Sequence, residues 1–244
     1  MDPLLTFDID WAPDFVIDEV AQILVRRSVR ATWFATHPSP ALERLRAERS
    51  LFEVGIHPNF FPGSTQGATT AEVLRYCMTM VPEAVSMRTH GLFQSSRLLN
   101  EVMAATPIRI DASLFLPGLP HLAPVEYWWG GQSMVRVPTF WADDCELQRA
   151  RPQFDPALLI APGGLKVLSF HPLHVFVNAT GPAYYDTLKT RAASVDKLSP
   201  ADVEDLRSRG RGVRTLLEAI VERLAGHDSR RLADVVKQPA GSPR

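Results

Sequence analysis

The chain has 244 residues, of which 45% are hydrophobic and 22% are charged, as in an ordinary globular domain. Its 26 basic and 27 acidic residues nearly cancel, which argues against nucleic acid or an anionic membrane surface as a partner. The N-terminus lacks the basic and long apolar regions of a signal peptide, and no stretch reaches the roughly 18 apolar residues of a transmembrane helix. From these features we expect a cytoplasmic protein with no transmembrane segment.

Short apolar runs alternate with amphipathic segments through the first half of the chain. The apolar runs predict strands over 4–8, 31–36, 51–56, 84–88 and 108–111. The amphipathic segments predict helices over 13–24, 41–48, 71–80 and 95–105. Strands that alternate with helices of about ten residues are typical of parallel βαβ units.

The second half of the chain is less regular. The stretch 114–148 is rich in Pro, Gly and Trp, which predicts loops and a hairpin rather than a further strand–helix unit. A late strand is predicted over 165–170, and the C-terminal part is predicted to be helical, most clearly over 213–224. We therefore predict one domain over 1–228, followed by a polar tail over 229–244.

Charged and imidazole side chains lie where the predicted strands end. These residues are Asp8, Asp10, His37, His57, Arg88, His90, Asp111, His171 and His174. The carboxyl ends of parallel strands in a (β/α) barrel meet at one rim, where active sites are built. Residues far apart in the sequence are therefore predicted to share one site.

Asp8 and Asp10 are two residues apart, so in extended backbone their side chains would point the same way. Two nearby carboxylates repel each other, and a metal ion relieves that repulsion. An aspartate with two neutral imidazoles is a plausible ligand set for Zn, Mn, Co or Fe, and His57 is the strongest imidazole candidate. The structural alternative is that Asp10 or Asp14 caps the helix that follows.

Five segments, taken in order, resemble the motifs of the polysaccharide deacetylases, the NodB-homology group of carbohydrate esterase family 4. They are Thr6–Asp10 (T-F-D-I-D), Ala31–Phe34 (A-T-W-F), Glu53–His57 (E-V-G-I-H), Arg88 within Met87–His90, and Leu168–His171 (L-S-F-H). The sequence His57-Pro58-Asn59-Phe60, together with Phe170-His171-Pro172, further resembles a branch of that group found among surface-polysaccharide biosynthesis proteins.

The resemblance implies an α/β fold, a distorted or incomplete (β/α) barrel with mostly parallel strands. It implies a metal-dependent hydrolase that removes an N-acyl or O-acyl group from a carbohydrate. The implied cofactor is one divalent transition metal, zinc first, with Mn, Co, Fe and Ni as the other choices. Asp8 matches the catalytic base, Arg88 the arginine that orients it and His171 the general acid. Asp10 and His57 match metal ligands.

The resemblance has departures. Phe61 stands where the family usually has its second metal histidine, so we predict His90 as the third ligand, with Asn59 and His37 as alternatives. Ile9 separates the two aspartates and leaves open a swap of their roles. His174 is an alternative to His171 as the acid.

The fourth motif of the family, an aspartate and a tryptophan beside the acyl pocket, has two candidates here, Asp111–Ser113 and Trp141–Asp144. Trp128, Trp129 and Trp141 are candidates for stacking on a sugar ring or for packing.

Two other functions stay open from the sequence. A metal-dependent amidase acting on a small non-sugar amide would need a deep, narrow pocket, and a non-catalytic carbohydrate-binding relative need not keep a metal. His121 and His227 are expected to be structural. Cys77 and Cys145 are expected to be buried or half-buried free thiols.

Overall fold

Nine strands join into one sheet in the computed structural model, which describes residues 2–160 and 163–236. The strands are β1 (Leu4–Asp8), β2 (Ala31–Ala35), β3 (Phe52–Ile56), β4 (Ser86–Met87), β5 (Ile110–Asp111), β6 (Val125–Trp129), β7 (Gln132–Arg136), β8 (Thr139–Ala142) and β9 (Val167–Phe170). Their order across the sheet is β6-β7-β5-β4-β3-β2-β1-β9-β8, and every neighbouring pair is parallel except β6 and β7.

Helices follow most of the strands. They are α1 (Asp14–Val25), α2 (Pro40–Ala47), α3 (Thr70–Met80), α4 (Ser96–Ala105), α5 (Asp143–Leu147), α6 (Pro156–Ile160), α7 (Pro172–Phe176), α8 (Ala183–Arg191), α9 (Pro200–Val203), α10 (Val213–Leu224) and α11 (Leu232–Val236). Hydroxyl side chains start the early helices: Ser39, Thr69 and Ser95 each accept a hydrogen bond from a backbone N–H in the first turn of the helix. None of these helices is long and apolar enough to cross a membrane.

The sheet curls into an incomplete barrel, as predicted. Its edge strands are β6 and β8, and the segment after β5 approaches β8, where Phe115 forms a parallel bridge to Thr139. The helices cover the outside, and stacked rings such as Phe7 and Trp33, 4.3 Å between centroids, belong to that outer core. The inside holds a smaller apolar cluster that includes Leu4 and Phe34.

The middle of the chain contains one strand that the sequence did not predict. The hairpin of β6 and β7 was expected. The further strand β8, which is parallel to β9, was not. It is four residues long and irregular in register between Thr139 and Trp141, so it carries too few positions for a periodic pattern.

The first part of the predicted tail packs against the barrel. Leu232 is buried in the inner apolar cluster with Leu4 and Phe34, and its N–H donates to Thr32 Oγ1 at 3.0 Å. Ser229 Oγ accepts a hydrogen bond from the N–H of Arg30. Residues 229–236 are therefore not a free polar tail, because α11 closes the end of the barrel at which β1 and β2 begin. The rest of the tail lies outside the described residues, and the domain boundary at 228 stays a prediction.

Candidate active site

The turn after β1 places two carboxylates at the rim of the barrel. Asp8 is the last residue of β1, and Asp10 and Trp11 both adopt left-handed backbone angles, with φ of +43° and +56°. Such angles cost non-glycine residues roughly 1–3 kcal/mol each and are concentrated at functional sites. Hydrogen bonds hold the turn, among them one from the N–H of Trp11 to Thr36 Oγ1 at 3.0 Å.

This turn corrects two expectations about the aspartates. The backbone leaves extended geometry at Asp10, so the simple rule that residues i and i+2 point the same way does not apply to Asp8 and Asp10. Neither Asp10 nor Asp14 caps α1, whose N-cap is Pro13 with no side-chain hydrogen bond. Asp14 instead accepts a hydrogen bond from the N–H of Ala41, at the start of α2.

Asp10, His57 and His90 meet in one cluster. Asp10 Oδ1 lies 3.1 Å from His57 Nε2 and 3.1 Å from His90 Nδ1, and the two imidazole nitrogens lie 3.3 Å apart. His57 directly follows β3 and is buried, whereas His90 lies three residues beyond β4 and is partly exposed. The structure thus brings together the three residues that we predicted as metal ligands.

The alternative third ligands lie outside this cluster. Asn59 Oδ1 accepts a hydrogen bond from the N–H of Phe61, and His37 Nδ1 pairs with Thr36 Oγ1. The ring of Phe61 packs edge-to-face against His90, with 6.3 Å between centroids. Gly91 permits this contact, since a Cβ there would lie 2.7 Å from the Phe61 ring. The side chain that replaces the family's second histidine therefore supports His90.

Burial and hydrogen bonds act in opposite directions on the cluster. Burial alone would raise the pKa of the Asp10 carboxyl, but hydrogen bonds from His57 and His90 outweigh it and hold that pKa well below its usual value. Burial likewise lowers the pKa of His90, and the hydrogen bond with Asp10 reverses this, so the pKa of His90 is raised. Asp10 is thus a carboxylate that its neighbours keep ionised.

Arg88 is a fully buried guanidinium that connects four parts of the barrel. It donates to Asp8 Oδ1 at 2.8 Å, to Ser169 Oγ at 2.9 Å, to Thr139 Oγ1 at 3.0 Å and to the carbonyl of Ala112 at 3.2 Å. Ser169 Oγ also donates to the other oxygen of Asp8, at 3.3 Å. The carboxylate of Asp8 is therefore fixed in orientation on both oxygens.

Asp143 forms a second cluster with His171 and His174. Asp143 directly follows β8 and is fully buried. Its Oδ2 accepts the backbone N–H of His171 at 2.8 Å, and its Oδ1 lies 2.6 Å from His171 Nδ1 and 3.1 Å from His174 Nδ1. The other ring nitrogen of His171, Nε2, lies 3.5 Å from Asp10 Oδ2, so His171 stands between the two clusters.

The carboxylate of Asp143 and the imidazole of His171 shift each other's pKa. Burial would raise the pKa of Asp143, but attraction to His174 and His171 holds it below its usual value. Burial would lower the pKa of His171, but the charge of Asp143 and its hydrogen bond raise that pKa well above the usual value. The sequence named Asp143 only within one of two candidate segments and assigned it no contact with His171.

A half-enclosed cleft of about 480 Å³ leads to this rim. Trp11, His90, His171 and His174 line one part of it, and Tyr184 of α8 lines another. The cleft gives both clusters access to solvent.

The three candidate tryptophans do not line this cleft. Trp129 pairs with Gln132 at the start of β7, which lies at the end of the barrel opposite the rim. Trp128 precedes Trp129 on β6. Trp141 is buried and packs on Phe170, 5.1 Å between ring centroids.

Other residues singled out in the sequence are also outside the two clusters. Asp111 pairs with Arg136 at 2.8 Å and accepts the N–H of Ser113, a structural arrangement. His227 Nδ1 lies 3.2 Å from an oxygen of Asp2. Both cysteines are free thiols as predicted; Cys77 is buried, but Cys145 is exposed, contrary to the prediction.

Comparison with known proteins identifies the family. The family model described as WbmS-like polysaccharide deacetylase matches residues 5–189. A solved structure from Bordetella bronchiseptica, named as a polysaccharide deacetylase involved in O-antigen biosynthesis, is 35% identical in sequence and has a TM-score of 0.77. That alignment covers 90% of this chain and 89% of the other.

More distant structures share the fold alone. A family 4 acetyl xylan esterase from Clostridium thermocellum, solved with cobalt, is 14% identical with a TM-score of 0.50, over 96% of this chain and 90% of the other. A 4-alpha-glucanotransferase from Thermococcus litoralis is 10% identical with a TM-score of 0.52, over 96% of this chain but 37% of the other. A comparison with curated proteins found no match. On the family match and the 35% identity, the chain belongs to the WbmS-like polysaccharide deacetylase family.

Proposed function

We propose that this chain is a metal-dependent hydrolase that removes an N-acyl or O-acyl group from a carbohydrate during surface-polysaccharide synthesis, such as that of O-antigen. The observation that carries the proposal is the single rim on which Asp10, His57 and His90 meet beside the Arg88–Asp8 pair and His171. The relative from Bordetella bronchiseptica supports the polysaccharide class.

The donor set of the first cluster fits a divalent transition metal. One carboxylate and two imidazoles are typical ligands of zinc in hydrolases. Two ligand atoms, each about 2.0–2.1 Å from a tetrahedral ion, lie roughly 3.3–3.4 Å apart, close to the separations of 3.1, 3.1 and 3.3 Å among Asp10, His57 and His90. Such an ion, when bound, acts as a Lewis acid toward the acyl carbonyl and lowers the pKa of water. Zinc is our first choice.

Asp8 is proposed as the general base. Its two oxygens are held by Arg88 and Ser169, and it makes no hydrogen bond with the imidazoles of the first cluster, because His57 Nδ1 is 3.9 Å away. Asp10 has the opposite surroundings, since its contacts are with imidazoles. This difference favours Asp8 as the base and Asp10 as the ligand over a swap of roles. Arg88 is then a positioning residue that orients the base.

His171 is proposed as the general acid. Asp143 holds its Nδ1–H, which leaves Nε2 facing the rim close to Asp10. A proton on Nε2 is therefore placed to reach the nitrogen or oxygen that leaves as the acyl bond breaks. His174 faces the same carboxylate through Nδ1, and no contact with Asp10 brings it equally close to the first cluster, so His171 is the stronger choice.

The proposal is tested by metal analysis and two aspartate variants. The purified chain should hold about one divalent ion per molecule in the first cluster and should release acetate from acetylated oligosaccharides. Asp8→Asn should abolish acetate release with the ion retained, whereas Asp10→Ala should lose the ion. His227→Ala, which changes an exposed histidine paired with Asp2, is a matched control that should change neither property. If Asp8→Asn loses the ion and Asp10→Asn keeps it, the roles are swapped; if the wild type holds no ion after zinc supplementation, the proposed function is wrong.

A further inference from the structure

The cluster around Asp143 leaves two buried polar atoms unsatisfied. Tyr184 Oη is buried and makes no hydrogen bond within residues 2–160 and 163–236, and buried His174 Nδ1 has only a 3.1 Å contact with Asp143 Oδ1 that lacks hydrogen-bond geometry. The two rings are in contact, edge to face, with 5.8 Å between centroids. An unsatisfied buried polar group is costly, and in native proteins it commonly marks the place of an ion, a water molecule or a catalytic function.

The atoms that face each other here are metal ligands by type. Asp143 Oδ1 lies 2.6 Å from His171 Nδ1 and 3.1 Å from His174 Nδ1, and the three ligand atoms lie within 4.8 Å of one another. One carboxylate with two imidazoles is the same donor set as in the first cluster. The carboxylate is already anchored, since its other oxygen accepts the backbone N–H of His171.

We propose that Asp143, His171 and His174 form a second binding site for a divalent transition metal, distinct from Asp10, His57 and His90. Binding must break the hydrogen bond between Asp143 and His171 Nδ1, and the proton on Nδ1 leaves to solvent. The contacts of Asp10 that the first site gives up are longer, 3.1 Å each against 2.6 Å here, so we expect the second site to bind zinc roughly tenfold or more weakly than the first.

The second ion has a consequence for hydrolysis, and this part rests on the proposed function. A cation on Nδ1 of His171 takes the place of the proton that would make the ring an imidazolium. The ring then keeps its Nε2 proton as a neutral metal-bound imidazole, which is a much weaker acid than imidazolium. Excess zinc should therefore inhibit the enzyme through His171. An amide needs a protonated leaving group and should lose about 10²–10⁴-fold in rate. An aryl acetate, whose phenolate leaves without a proton, should lose much less.

Zinc titration of the chelator-stripped full chain tests the binding directly. The wild type should take up two ions in two separable phases, as measured by calorimetry and by elemental analysis after equilibrium dialysis. His174→Ala should abolish the weaker phase, and His57→Ala should abolish the tighter one. His227→Ala, which changes an exposed histidine outside both clusters, should keep both.

Two ions in the wild type would support the binding claim even if His174→Ala fails to fold, and His174→Gln provides a second variant. A single ion at millimolar zinc that is lost in His57→Ala would overturn the second site. One ion that is lost in His174→Ala but retained in His57→Ala would leave the second site standing and refute the proposed function instead.

The inhibition is measured as the ratio of rates with one equivalent of zinc and with excess zinc. The substrates are an N-acetyl-chito-oligosaccharide and 4-nitrophenyl acetate. In the wild type the ratio should be large for the oligosaccharide and small for the ester, whereas in His174→Ala both ratios should be close to one. Equal inhibition of His174→Ala and wild type would show that excess zinc acts elsewhere.

Discussion

The ion pair between Arg88 and Asp8 gives the most direct test of how the barrel holds its rim together. Arg88 is fully buried, Asp8 is nearly so, and the guanidinium makes four hydrogen bonds to groups on different parts of the sheet. Arg88→Met keeps most of the side-chain volume but removes the charge and all donors. It leaves the carboxylate of Asp8 buried with no cation beside it.

The expected loss of unfolding free energy follows from that unpaired buried carboxylate. Removal of one partner of a buried ion pair typically costs about 3–5 kcal/mol in unfolding free energy. In a chain of this size, that loss corresponds to a fall in melting temperature of roughly 6–20 °C. Asp8→Asn in the Arg88→Met background removes the unpaired buried charge. The unfolding free energy of the double variant should therefore exceed the value predicted from the sum of the two single effects by about 1–3 kcal/mol.

Urea unfolding of the wild type, Arg88→Met, Asp8→Asn and the double variant measures this coupling. Arg88→Lys keeps the charge but has a compact ammonium in place of the planar group, so it should recover only part of the loss. Arg97→Met, which breaks an exposed pair with Glu101, is the matched control and should leave the unfolding free energy unchanged. Additivity of the two single effects within about 0.5 kcal/mol would refute the account of Arg88 as the counter-charge of Asp8.

Three further predictions concern His171, Asp143 and Gly55. His171→Ala should lower the rate on an unactivated amide by about 10²–10⁴-fold and lower it much less on an aryl acetate; equal losses on both substrates, with metal retained, would show that His171 does not protonate the leaving group. Asp143→Asn should cost about 1–3 kcal/mol in unfolding free energy near pH 7, because it weakens a buried charge-assisted contact. The folded pKa of Asp143 is held below its unfolded value, so its stabilisation is present above about pH 4 and is lost at lower pH; the melting-temperature gap between wild type and variant should shrink below pH 4, and a constant gap would contradict this assignment. Gly55→Ala should destabilise the fold by about 1–3 kcal/mol, because a Cβ there would lie 2.5 Å from the carbonyl oxygen of Ser86, whereas Gly181→Ala, with open space around it, should have little effect.

Much of the site was predictable because residues that follow parallel strands lie at the same end of the sheet, however far apart they are in the sequence. Each parallel strand delivers its carboxyl end to the same rim. Asp8, His57, Arg88 and His171 each end or follow a strand that the apolar pattern predicts, and the structure gathers all four there. The sequence needed no knowledge of side-chain packing for this step.

The residues that the sequence missed or left as one of two candidates lie where that pattern is weakest. Asp143 also follows a strand, but β8 has only four residues in a stretch rich in Pro, Gly and Trp. Had β8 been predicted, the same argument would have placed Asp143 on the rim. The packed helix α11 was missed for a different reason, since Leu232 lies among arginines and aspartates and its burial depends on the open end of the barrel.

The turn at Asp10 was not predictable from residue type. Left-handed backbone is common for glycine and tolerated by aspartate, but Trp11 has no such preference. The conformation depends on tertiary contacts, including the hydrogen bond of the Trp11 N–H to Thr36 on the neighbouring strand. The strain places the carboxylate of Asp10 between His57 and His90, where a regular extension of β1 would not be expected to place it.

The position of His90 relates metal binding to the orientation of the proposed base. In the motif that the chain resembles, the second metal histidine follows the first by four residues, in the loop after β3. Here that residue is Phe61, and the imidazole comes from the segment that follows β4, two residues after Arg88. The segment after β4 therefore carries both the residue that orients the proposed base and a proposed metal ligand. A displacement of β4 should consequently disturb both base orientation and metal binding, which in the family's arrangement depend on different loops. For this reason, the metal content of Arg88→Met, measured beside its stability, should fall along with its activity, and Arg88→Lys should retain more of each.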